Sequence, residues 1–217
     1  MSKEEVMSAI LEELATLVAS GKSKIVPGKV QECLDAGETP IDTLNTMIGA
    51  MDVVGERFKN NEIFVPEMLI AARAMKKGVE VLKPLLAEEG GANAGKVIIG
   101  TVAGDLHDIG KNLVAMMIES AGFEVIDLGV DVPAEKFVET YKANPDTKII
   151  ALSALLTTTM PSLRDAVALL NEQDFRKDIK VMVGGAPITQ EFADEIGADA
   201  YTEDAASAAA KAKELVA

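Results

Sequence analysis

The hydrophobic periodicity of this chain changes once, at Ala87-Glu88-Glu89-Gly90-Gly91-Ala92-Asn93-Ala94-Gly95, and that change limits the fold more than any other feature. Before it, apolar residues recur three and four positions apart, as in Val6, Ile10, Leu14 and Leu17 and again in Leu44, Met47, Ile48, Met51 and Val54. That spacing lines one face of an α-helix. Gly21, Gly37 with Thr39-Pro40, and Val65-Pro66 interrupt the pattern, which predicts a four-helix bundle of about 85 residues. The glycine- and alanine-rich stretch has no periodicity and reads as a linker over 89–95, between a helical domain at 1–88 and a second domain at 96–217.

After the linker, short continuous apolar runs alternate with helical segments. The expected strands are 97–102, 124–128, 149–153, 181–183 and a weak 198–201; the expected helices are 111–121, 135–143, 161–172, 189–196 and 205–216. Pro133 and Pro161 fall at helix starts, where a missing N–H costs least. Strands that are apolar throughout are covered on both faces, which implies a parallel sheet. The fold class is therefore α/β: an N-terminal four-helix cap bundle and a C-terminal flavodoxin-like (Rossmann-type) domain with a five-stranded parallel sheet.

Composition narrows the partners. A formal charge of −14 repels phosphate backbones, and an aromatic content of 4% with no Trp leaves little for base stacking, so nucleic acid is not expected. There is no run of about 18 apolar residues, and Ser2-Lys3-Glu4-Glu5 is not the start of a signal peptide, so a cytoplasmic protein without a membrane span is expected. The single cysteine, Cys33, has no partner for an internal disulfide and sits in a helical run, where a buried apolar role fits best.

In a doubly wound sheet, ligands bind at the carboxyl ends of the strands, near the point where strand order reverses. The unusual clusters of the second half fall at those ends. The first strand runs into Gly104-Asp105-Leu106-His107-Asp108-Ile109-Gly110, the third into Ser153 to Met160, and the fourth into Gly184-Gly185. His107 is the only histidine in the chain. Two readings fit it: a metal ligand whose tautomer is fixed by Asp105, or a histidine that satisfies backbone groups at a strand end. Thr157 to Thr159 can serve a ligand or cap a helix, and the paired glycines can admit a ligand or simply turn the chain. No cysteine or carboxylate cluster accompanies His107, so if it binds a metal, a cofactor must supply the other ligands.

The run Asp105-Leu106-His107-Asp108-Ile109-Gly110, followed by Ser153-Ala154-Leu155 and Gly184-Gly185, resembles the cobalamin-binding signature of corrinoid methyl-carrier proteins of anaerobic methyltransferase systems and of the cobalamin-binding module of methionine synthase. The first half is similar to the family's helical cap in Gly55-Glu56-Arg57-Phe58 and Ile63-Phe64-Val65-Pro66-Glu67-Met68. The resemblance implies cobalamin bound base-off, with His107 as lower cobalt ligand in place of the benzimidazole. It implies that Asp105 holds the second ring nitrogen and in turn bonds a hydroxyl at Thr159, and that proton uptake by this relay accompanies loss of the axial bond. Gly110, Gly184 and Gly185 would leave room for the nucleotide tail, Ser153 would donate to the buried base, and Leu155 would form wall. Leu106, Asp108, Ile109 and Thr157 complete the expected cofactor contacts. Phe58 and Val65 would cover the upper face of the corrin, Val65 being smaller than the leucine often found there.

The function so implied is carriage of a methyl group on cobalt between a substrate-specific methyltransferase and a corrinoid:acceptor methyltransferase using tetrahydrofolate or a thiol coenzyme, with a reductive activator of the corrinoid as a further partner. No second pocket with acid and base groups is evident, so the chain reads as a cofactor-carrying subunit with a hinge at 87–95. Three other readings stand beside it: a cobalamin-dependent sensor or regulator, the cobalamin subunit of a carbon-skeleton mutase, and a flavodoxin-like domain without cofactor. The methyl donor, whether methanol, a methylamine, an aryl methyl ether or a betaine, is not written in the motifs.

Overall fold

Helix boundaries in the first half follow local chemistry. In the computed structural model, which describes residues 3–88 and 94–217, this half holds α1 (Lys3–Ala19), α2 (Val26–Ala36), α3 (Pro40–Lys59) and α4 (Val65–Glu88). Thr39 opens α3 by accepting from the Asp42 amide at 3.1 Å, with Pro40 in the first turn. Glu67 reaches back to accept from the Phe64 amide at 3.1 Å and so caps the start of α4. Gly37, at φ 99°, ends α2 in the left-handed conformation that most residues avoid. Leu44, Met47, Met51 and Val54 are buried along α3 as the spacing requires. In α1, among the residues whose side chains are described, Leu14 and Val18 are buried while Ile10 and Leu17 are only partly covered; Val6 lies outside them.

The second half alternates strands and helices: β1 (Lys96–Thr101), α5 (Ile109–Ser120), β2 (Glu124–Asp127), α6 (Ala134–Ala143), β3 (Thr147–Ser153), α7 (Met160–Asn171), β4 (Lys180–Gly184), α8 (Gln190–Ile196), β5 (Ala200–Tyr201) and α9 (Ala205–Val216). Short 3-10 turns at Thr157–Thr159 and Asp174–Asp178 precede α7 and β4. All strand pairs are parallel and the order is β2-β1-β3-β4-β5. Strand order reverses between β1 and β3, where Thr101 pairs with Ser153 and Ser153 with Gly184 at the carboxyl edge. The core beneath that edge is built on Ile98, Ile150, Leu152, Val181 and Val183 from the sheet, with Phe137, Leu163 and Val167 from the helices packed on it. Helix α5 begins two residues earlier than periodicity suggests, taking Ile109 and Gly110 into its first turn.

The chain divides into two compact units, Met1–Asn93 with Ser120–Gly122 and Ala94–Glu119 with Phe123–Ala217. Of the linker expected at 89–95, residues 89–93 lie outside the described residues. Among the described residues no helix is long and apolar enough to cross a membrane.

Candidate cobalt-ligand site

Asp105 organises the carboxyl edge of the sheet. Its side chain is completely buried, and its carboxylate accepts four hydrogen bonds: from the His107 amide (3.1 Å) and ring Nδ1 (2.7 Å) on Oδ1, and from the Leu155 amide (2.7 Å) and Thr159 Oγ1 (2.8 Å) on Oδ2. The first is an Asx turn, local in sequence; the last two cross from β1 to the loop after β3. Burial pushes this carboxyl up, but the Leu155 amide, the His107 ring, the Thr159 hydroxyl and the His107 amide together hold it well below the usual carboxylate range. An ionised carboxylate only accepts, so in neutral His107 the proton must be on Nδ1. The Nε2 lone pair is then free to coordinate a metal, with no hydrogen-bond partner among the described residues.

The imidazole is displayed: its side chain is 48% exposed while the carboxylate behind it has no exposure. Around it, Ile109 (85% exposed) and Leu106 (73%) face solvent, as do Leu155 and Leu156 from the opposite loop. Exposed apolar side chains gathered about one nitrogen donor mark a binding surface for a large, partly apolar ligand. No group of three His, Cys, Asp or Glu that could enclose a metal exists among the described residues. One exposed imidazole therefore suits a metal whose other ligands come with it.

Residues 95–210 match the family described as B12 binding domain, and residues 10–83 match a second family of the same description. The chain is 48% identical, over its whole length and the whole of the other chain, to dimethylamine corrinoid protein 1 of Methanosarcina acetivorans. This chain belongs to the corrinoid protein family. A cobalamin-binding protein from Desulfitobacterium hafniense has a similar structure (TM-score 0.80, 30% identity, 95% of this chain and 98% of the other). So does a chain of the methanol:cobalamin methyltransferase complex of Methanosarcina barkeri (TM-score 0.80, 30% identity, 96% of this chain and 80% of the other). The corrinoid protein is thus a cobalamin-binding protein with a helical region and a Rossmann-like sheet.

Several expected residues meet in this corrinoid protein at the one edge. Asp105, His107 and Thr159 are directly bonded, and Leu155 joins them through its amide. Thr159 stands at the N-cap of α7 but makes no side-chain cap; its hydroxyl is turned to Asp105. Thr157 is exposed in the 3-10 turn, outside this network. Asp108 bonds Asn112 at 3.2 Å across the first turn of α5. Ser153 is committed differently from the donor role expected of it. Thr101 Oγ1 donates to the His107 carbonyl at 2.9 Å, so at the 2.9 Å contact between the two hydroxyls Ser153 is the donor. Any ligand that takes the Ser153 proton must compete with Thr101.

The glycines separate into two kinds. A Cβ on Gly110 would meet nothing within 4 Å, and one on Gly184 would meet only the Thr202 carbonyl at 3.4 Å, so both border open space. Gly185 has a reason of its own: at φ 125°, its Cβ would lie 1.9 Å from the Ala154 carbonyl oxygen. That glycine is imposed by the neighbouring backbone, and a side chain there would disturb the fold before any ligand arrives. Phe58 and Val65 belong to the helical unit, Phe58 half-buried in the last turn of α3 and Val65 exposed at the start of α4 beside the more exposed Phe64.

Three supports of this edge were missed by sequence reasoning. Thr101 carries the hydroxyl that links Ser153 to the histidine loop. Lys111, almost fully buried, pairs with Asp127 at the end of β2 and bonds Asn112 at 2.8 Å, tying α5 to the sheet. Asp131 accepts from the Gly104 amide at 2.7 Å. The available signals were a lysine in the first turn of an apolar helix, and an acid at the end of Gly129-Val130-Asp131, before Pro133.

Proposed function

We propose that this corrinoid protein carries a methyl group between two enzymes, with His107 Nε2 as the lower ligand of cobalt in a base-off cobalamin. The observation that carries the proposal is a half-exposed imidazole whose Nδ1 lies 2.7 Å from the buried Asp105 carboxylate, leaving Nε2 for a ligand, with exposed Leu106 and Ile109 on either side in sequence. When bound, the corrinoid supplies a cobalt that in its reduced state is nucleophilic enough to take a methyl group and later surrender it. The chain's own residues bind and orient. Asp105 holds the ring and its tautomer, Thr159 and the Leu155 amide hold Asp105, and Gly110 and Gly184 leave space beside the sheet.

The methyl donor we infer is dimethylamine. Support comes from full-length identity of 48% and 45% to dimethylamine corrinoid proteins of two Methanosarcina species. The first partner is then a dimethylamine-specific methyltransferase. The second is a corrinoid:acceptor methyltransferase using a thiol coenzyme or tetrahydrofolate, and a reductive activator returns oxidised cobalt to service; all work in the cytoplasm. Reconstitution with hydroxocobalamin tests the reading. The wild type should give a histidine-bound spectrum, and His107→Ala should keep some corrinoid but lose that spectrum. Methyl loading by partner enzymes should be faster from dimethylamine than from methanol or trimethylamine. An unchanged His107→Ala spectrum would remove the histidine from cobalt, and faster loading from methanol would remove dimethylamine as donor.

A further inference from the structure

Asp131 is one of two non-glycine residues in the described chain with positive φ, at 53°. Such a backbone is uncommon for a residue with a side chain, and where it persists the surroundings must hold it. Here the surroundings are the strand and loop that lead to His107. The segment from Gly129 to Val132 runs beside Thr101 to Asp105 and is stitched to it at four points. Thr101 N donates to Gly129 O (3.0 Å), and Val132 N to Thr101 O (2.9 Å). Asp131 N donates to Asp105 O (2.9 Å), and Gly104 N to Asp131 Oδ1 (2.7 Å). Val102 and Val132 form an isolated parallel bridge within this stitch.

Asp131 supplies two of the four bonds, one from its backbone and one from its side chain. Together they grip the residues on both sides of the Gly104–Asp105 peptide. Gly104 is itself left-handed, at φ 82°, so the chain turns there and sends the Asp105 side chain inward and His107 outward. The carboxylate of Asp131 holds that turn from the side opposite Thr159 and Leu155, which hold Asp105 by its own carboxylate. A ring whose nitrogen must meet a metal tolerates little drift, and distant groups that fix a ligand's orientation are what tune such sites.

We infer that Asp131 is a positioning residue for the histidine ligand: its strained backbone and its carboxylate hold the Gly104–Asp105 turn so that Nε2 presents at one place. The inference rests on the reading of His107 as the cobalt ligand. Three substitutions separate its parts. Asp131→Asn keeps an acceptor and tolerates left-handed backbone. Asp131→Gly relieves the strain but removes the acceptor. Asp131→Ala removes the acceptor and keeps the strain.

The test measures, for each variant, cobalamin affinity, the histidine-nitrogen signature in the paramagnetic resonance spectrum of bound cobalt(II), and the apo melting temperature. Asp131→Asn should match the wild type. Asp131→Gly should melt near the wild type yet bind cobalamin about fivefold more weakly, the worth of one hydrogen bond, with a smaller histidine-bound fraction. Asp131→Ala should lose more of both. If Asp131→Gly keeps the full histidine-bound fraction and affinity, the inference fails. If affinity, ligation and melting temperature fall in parallel across the series, Asp131 is only structural and the inference fails as well. A wild type without histidine signature would instead overturn the reading of His107, and so the two failures are distinct.

Discussion

Cys33 in the helical unit and His107 in the sheet unit are each the only residue of their kind in the chain, and the two units treat them in opposite ways. Cys33 shares a helix face with Val26 and Val30, all three fully buried, and burial together with the negative charge of Glu38 pushes its thiol up to about 11. A potentially reactive side chain has become packing. His107 stands in a loop with nearly half its side chain exposed, and the buried group is its support, Asp105. A helix buries one stripe of residues against its neighbours, whereas the carboxyl edge of a parallel sheet ends in loops whose side chains can be aimed outward from a rigid base. The same rarity therefore signals core in one unit and chemistry in the other.

The largest effect expected lies in the support and not in the ligand. Asp105→Ala strands the Leu155 and His107 amides and leaves the Thr159 hydroxyl only the Leu156 carbonyl at 2.9 Å, and should cost the apo sheet unit about 3 kcal/mol in urea unfolding. His107→Ala, at a half-exposed position, should cost less than about 1 kcal/mol. Equal costs would erase the contrast between buried support and displayed ligand. On the other side of the comparison, a thiol raised to about 11 has roughly a hundredfold less thiolate at pH 8 than an ordinary one. Cys33 should resist alkylation in the native protein at least in that proportion, react faster as pH rises, and label fully in denaturant. Rapid native labelling would break the assignment of Cys33 to core.

A finer test divides the paired glycines. Gly185→Ala, with its Cβ forced against the Ala154 carbonyl and its backbone left-handed, should lose about 2 kcal/mol of apo stability. Gly184→Ala should stay within about 0.5 kcal/mol and show its effect only in cobalamin uptake. Similar melting of the two would mean that the Gly185 turn can relax. Phe58→Ala should fall below Gly185→Ala or near it: a half-buried ring should cost about 1–2 kcal/mol, below the roughly 3–5 of a fully buried phenylalanine, in thermal unfolding. A larger loss would place Phe58 in the bundle core.

What the sequence determined by itself is what local periodicity and short-range geometry can encode. The switch from helical to alternating patterns marked out four helices and then five strands, because burial repeats every 3.6 residues in one case and continuously in the other. The Asp105–His107 pair was readable because an aspartate reaches its own chain two residues on. Thr159 was reached through resemblance, and nothing within its own run distinguished a cap from a donor to Asp105. Only the tertiary structure decided which hydroxyl was which, since Thr159 and Asp105 lie on different loops that meet where β1 and β3 adjoin. The same holds for Asp131, Thr101 and the Lys111–Asp127 pair. Gly185 is the sharpest case: its sequence context suits a turn or a ligand slot equally, and what makes it glycine is the Ala154 carbonyl of an adjacent strand end, a distance that exists only once the sheet has formed.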